Sequence, residues 1–104
     1  MLQKESVLYS RLADDADLRD IVRLFVEEMP GRTATLRDCL DRGDWEGVGH
    51  IVHQLKGAAG SHGFDAISSC AGRVESALRD REPDEHSREA VLELVDLCGR
   101  VRNK

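Results

Sequence analysis

The run His53-Gln54-Leu55-Lys56-Gly57-Ala58-Ala59-Gly60 sets a histidine in a helical pattern, with a lysine three residues on and glycines four and seven residues on. Neutral imidazole is a nucleophile at physiological pH, and a lysine nearby supplies a fixed positive charge. At about 100° per residue, Gly57 and Gly60 fall close to His53, one and two turns further along, and Lys56 sits at the edge of the same face. Each glycine costs a helix about 1 kcal/mol relative to alanine. Bare backbone is useful where another molecule must come close. A histidine with cleared ground beside it reads as a site that another protein reaches.

The direction of that site follows from the apolar stripe of the same helix. Val48, Val52, Leu55 and Ala59 define the core side, and His53 lies about 130° from its centre. The imidazole is therefore expected in solvent, with His50, Glu46 and Gly57 on the same outward side. The next helix returns after a turn near Gly63. Counting equal distances from that turn brings Arg73, Val74 and Glu75 to the level of His53. A Glu75 carboxylate on one ring nitrogen would fix the tautomer and leave the other nitrogen free to attack. Arg79 lies one turn beyond Glu75 on the same side. By spacing alone, those two form an ordinary i,i+4 surface ion pair.

Four amphipathic stretches position these residues. The first starts at Asp15, with Asp14 or Asp15 as N-cap. It carries Leu18, Ile21, Val22, Phe25, Met29, Leu36 and Leu40. Its phase is kept across Pro30, which predicts one long helix to about Asp41, kinked near the proline, with two abutting helices as the alternative. Arg42-Gly43-Asp44 closes it, with Gly43 suited to a left-handed position and Asp44 to the next N-cap. The second helix begins near Trp45 and ends at Ser61-His62-Gly63. A third starts near Asp65 with Ile67, Cys70, Ala71, Val74 and Leu78 inward. After the Glu82-Pro83-Asp84 turn, a fourth carries Val91, Leu94, Val95, Cys98 and Val101. Short connections predict an all-α, antiparallel up-down four-helix bundle forming one domain over residues 1–104. Val7, Leu8 and Leu12 are expected to form a short N-terminal helix that caps one end.

Composition removes several classes of function. A net charge of -5 and only 4% aromatic residues argue against nucleic acid, which demands a basic surface and, for single strands, stacking platforms. No apolar run approaches the ~20 residues of a membrane span, and no secretory leader is visible. Cys39, Cys70 and Cys98 form no CxxC pair and fit reduced thiols in a cytoplasmic core. Glu46, His50 and His53 point outward and lack a His-Glu-x-x-His pattern, so no metal site is expected. No Gly-rich phosphate loop is present, which argues against an ATP-using kinase. The initial methionine and self-contained bundle favour a free-standing monomer.

His53-x-Leu55-Lys56-Gly57-Ala58-Ala59, followed by Gly63-Phe64, resembles the signature of bacterial histidine-containing phosphotransfer (HPt) domains. Phe25, Met29-Pro30, the Arg42–Trp45 turn and Val74-Glu75 agree with it, so the likeness covers roughly Leu12 to Arg79. The resemblance implies that His53 takes a phosphoryl group from an aspartyl phosphate on a receiver domain and passes it to another response-regulator receiver. A hybrid sensor histidine kinase would stand upstream. Lys56 would support the phosphoryl oxygens, and Gly57 and Gly60 would leave room for the receiver's active-site loop. Gln54 would add a hydrogen bond at the rim, with Glu75 and Arg79 as weaker matches. The domain would need no cofactor of its own, the Mg²⁺ belonging to the receiver. The alternative is a non-catalytic helical module that binds receivers without carrying phosphate.

Overall fold

The computed structural model describes residues 7–80 and 82–102. Four helices follow in order: α1 (Arg19–Asp41), α2 (Trp45–Ser61), α3 (Asp65–Asp80) and α4 (Glu85–Cys98). Val22, Phe25, Met29, Leu36 and Leu40 of α1 pack on Val48, Val52, Leu55 and Ala59 of α2, with Ile67, Val74, Val91 and Leu94 closing the core. The periods of three and four that mark these residues in the sequence give each helix one inward stripe.

The stops are set by local chemistry. Gly43 and Gly63 have φ of 71° and 81°, left-handed values that let the chain reverse after α1 and α2 at little steric cost. Asp44 caps α2 by accepting from the Gly47 amide at 2.9 Å. Asp84 and Ser87 form a reciprocal capping box at the start of α4. α1 passes through Pro30 as a continuous 23-residue helix. There Thr33 Oγ1 donates to the carbonyls of Met29 and Pro30.

The N-terminal part departs from the sequence expectation. Among the described residues, 7–18 form turns and a single bridge rather than a capping helix. Leu8 pairs with the chain beyond α4, its N–H donating to Arg100 O at 2.7 Å and its carbonyl accepting from Arg102 N at 3.0 Å. Ser10 Oγ donates to His62 O at 2.5 Å and accepts from Leu12 N. Arg11 N donates to Gly63 O, and its guanidinium pairs with Asp65. This strap takes up carbonyls of the residues that follow α2 and α4. Val101 is consequently a partner of the strap and not part of α4.

The start of α1 shifts for a related reason. Asp15 accepts from the Asp17 amide at 2.9 Å, a local turn that competes with helix. The helix begins only at Arg19, with Leu18 at its N-cap and no side-chain cap bond. Ile21, expected inward, is 48% exposed.

Gly63→Ala tests the α2–α3 turn and the strap together. A Cβ there would lie 2.5 Å from Ser10 Oγ and 3.1 Å from the Arg11 backbone nitrogen. Chemical denaturation should show a loss of roughly 1–3 kcal/mol; unchanged stability would mean that the strap is not seated on this turn.

Candidate functional site

The site is built on α2 and completed by α3. Val48, Val52, Leu55 and Ala59 are buried, which turns His53 outward, its side chain 71% exposed. Glu75 reaches it from α3. Its Oε2 lies 2.5 Å from His53 Nδ1, and its Oε1 accepts from Lys56 Nζ at 3.0 Å. One carboxylate thus joins both functional side chains of α2.

Close contact between the two helices produces this arrangement. Gly60 faces Ser68, where a Cβ would stand 3.2 Å from the hydroxyl oxygen. Ser68 Oγ donates to Lys56 O at 2.9 Å. Gly72 lies under the lysine stem, where a Cβ would meet Lys56 Cδ at 3.7 Å. Small residues on α3 let the lysine cross the helix and end on Glu75.

An ionised carboxylate only accepts hydrogen bonds, so in the neutral ring the proton sits on Nδ1. The Nε2 lone pair is left on the solvent side, in the form a nucleophile requires. The Glu75 carboxyl is held below its ordinary value of 4.5, first by the hydrogen bond from His53 and then by that from Lys56. It remains an acceptor through the physiological range. The buried thiols are poor competitors as nucleophiles: burial raises Cys70 and pushes Cys98 up to about 12.

The ground around His53 is open on both sides. A Cβ at Gly57, or at Gly49 one turn before the histidine, would meet nothing within 4 Å. Gly49 was legible at i−4, since Gly49, His53 and Gly57 form one row along the helix. Gly60 is different. It is packed against Ser68, so its missing side chain serves helix contact and not clearance.

One further expectation is corrected. Arg79 does not join Glu75; it donates to Ser76 Oγ and pairs with Asp80. Gln54, expected at the rim, lies with its Nε2 3.4 Å from His50 Nε2. His62 is held apart from the site, with Nδ1 donating to Ala58 O at 2.7 Å and its ring stacked on Phe25. Among the described residues, no group of three or more His, Cys, Asp and Glu side chains is placed to hold a metal ion. No helix among them is long and apolar enough to cross a membrane.

Residues 20–104 match the sequence profile of the Hpt domain. The chain belongs to the Hpt domain family. Hpt domains are phosphocarriers of two-component signalling rather than kinases, and their family role implies contact with receiver domains and kinases. Comparison with curated proteins and with solved structures gave no match. The strap over residues 7–18 lies outside the part that matches the Hpt domain.

Two measurements follow from this geometry. Gly57→Ala should stabilise the fold by about 0.5–1 kcal/mol, because it removes helix-interior glycine entropy without a contact to offend. Gly60→Ala, which must displace Ser68, should gain less or lose stability; equal gains at both positions would contradict the distinction. For Glu75, a lowered folded-state value means its contribution is complete above the unfolded value and is lost as pH falls through the folded one. The difference in melting temperature between the protein and Glu75→Gln should therefore be largest near neutrality. It should close as pH falls from 4.5 downward, and a gap that persists in acid would refute the ion-pair reading.

Proposed function

We propose that this Hpt domain is a phosphorelay intermediate in which His53 carries the phosphoryl group. The observation that supports it most is the exposed ring whose Nδ1 is engaged by Glu75, leaving Nε2 toward solvent. In the forward step, the Nε2 lone pair attacks the phosphorus of a receiver's aspartyl phosphate. The N–P bond forms, the bond between phosphorus and the aspartyl carboxylate oxygen breaks with its electron pair going to that oxygen, and the aspartate leaves as carboxylate. In the return step, a second receiver's aspartate attacks phosphorus and the electron pair goes back to Nε2. Both are transfers between groups of high transfer potential, so the protein has chiefly to present the ring and offset charge.

Lys56 is the group that offsets charge. Its ammonium is parked on Glu75 and lies on the same helix face as His53, three residues along, where it can turn to the incoming phosphoryl oxygens. Gly57 and Gly49 give a receiver's active-site loop room to approach the ring. The receiver brings Mg²⁺, and a hybrid sensor histidine kinase is the source of the first phosphoryl group. An antiparallel up-down path for the helices is supported by contacts made in reverse order: Phe25 near the start of α1 meets His62 after α2, while Cys39 near the end of α1 lies beside Gly47.

The test is incubation with Mg²⁺ and each phosphorylated receiver of the same cell, followed by mapping of the acid-labile phosphate. Label on His53 is expected, with none on His53→Gln. Label on the variant, or no label from any receiver, would overturn the proposal. Receiver binding without transfer would favour the non-catalytic module instead. Lys56→Ala should slow transfer by about tenfold, the value of one charge-assisted hydrogen bond. Gly57→Gln should abolish transfer while leaving helicity intact.

A further inference from the structure

Phosphorylation of His53 poses a problem that the free ring does not have. When Nε2 takes the phosphoryl group with Nδ1 still protonated, the ring carries a positive charge. Loss of the Nδ1 proton neutralises it and strengthens the P–N bond. Transfer onward from the deprotonated ring would expel imidazolate, a far poorer leaving group than neutral imidazole. A carrier that must release its phosphoryl group at neutral pH therefore benefits from keeping the Nδ1 proton in place.

The geometry supplies a group for this task. Glu75 Oε2 is 2.5 Å from Nδ1, on the edge of the ring away from Nε2. The carboxylate cannot easily swing off, because Oε1 is held by Lys56 at 3.0 Å. Its side chain is 20% exposed, against 71% for His53, so the Nδ1 edge is the sheltered one. Resting on the reading of His53 as phosphoacceptor, we propose that Glu75 holds the Nδ1 proton on the phosphorylated ring, so that His53 departs as neutral imidazole when the phosphoryl group moves on. Glu75 is thus a positioning residue that acts through His53.

The charged surroundings favour this role. Lys56 from α2 opposes it, since an ammonium disfavours a second cation, but its charge is already shared with the same carboxylate. His50, one turn back on α2, is turned to Gln54. On α3, Arg79 is engaged with Ser76 and Asp80. Among the described residues, α1 and α4 place no charged group in hydrogen-bond or ion-pair contact with His53, Lys56 or Glu75. The carboxylate in direct contact is therefore the dominant neighbour of Nδ1.

The step balances without a further reactant. On transfer out, the P–Nε2 bond breaks, its electron pair returns to Nε2, and the Nδ1 proton stays where it was. The product is the same neutral tautomer that accepted the group, ready for another cycle.

The experiment uses the intact protein and the small-molecule donor phosphoramidate, so that no receiver is needed for loading. Phosphorus NMR across a pH series reads the ring titration of phosphorylated His53, and the decay of the signal reads phosphoryl loss. Glu75→Gln keeps the shape and an acceptor oxygen but removes the charge. Its midpoint should fall at least one pH unit below that of the unsubstituted protein, and its phosphoryl loss at pH 8 should be at least about tenfold slower. Lys56→Met breaks the ion pair and leaves the Glu75–Nδ1 contact, so its midpoint should stand at or above the unsubstituted value. Equal midpoints in the unsubstituted protein and Glu75→Gln, with His53 labelled in both, would overturn the proton-holding role alone. Label on a residue other than His53 would overturn the functional reading beneath it.

Discussion

The register between α2 and α3 is the constraint on which the site depends. Glu75 is a medium-length side chain, and it serves two residues of α2 only because the helices meet closely. Gly60 lies against Ser68, Ser68 binds the Lys56 carbonyl, and Gly72 leaves room for the lysine stem. A shift of α3 by one residue would turn its face by about 100° and take the carboxylate away from the imidazole. Gly63 and the strap residue Ser10 secure the turn from which that register is counted. The chemistry at the middle of α2 is thus anchored at its C-terminal end.

Glycines in α2 and α3 do two opposite jobs. Gly49 and Gly57 border His53 on open surface, where a Cβ would meet nothing within 4 Å; the proposed function gives that space to a partner. Gly60 and Gly72 lie between helices, where the absent side chain brings backbones together or passes another side chain across. The first pair leaves open surface at a cost in helix stability; the second returns contact in exchange for the same loss. Both uses produce the same letter in the sequence.

That ambiguity marks the boundary of what could be read from the chain. Inward stripes, the Asp44 cap and the reversals at Gly43 and Gly63 were legible because they depend on neighbours a few residues away. The level of Glu75 against His53 was also legible, since it follows from counting outward from one short turn. The strap was not, because Leu8 meets Arg100 and Arg102 across nearly the whole length of the sequence. Its apolar residues suit a strand edge as well as a helix face. Arg79 was misplaced for an energetic reason. A solvated i,i+4 pair is worth a few tenths of a kcal/mol, and it yields when Glu75 has an imidazole and an ammonium on the facing helix.

Sharing one carboxylate gives the site an economy of charge. Lys56 is kept close to the histidine without being spent, and the ring is oriented by the same group that holds the lysine. Under the proposed reading, the family's phosphocarrier role asks little more of the domain than a presented nucleophile.

In this arrangement Glu75 fixes His53 with its proton on Nδ1 and its lone pair on Nε2. Nitrogen-15 NMR of the unphosphorylated protein above neutral pH reads this directly. A protonated Nδ1 and a bare Nε2 on His53 are the expected result. Detection of the opposite tautomer, or of rapid averaging between the two as in free histidine, would contradict it.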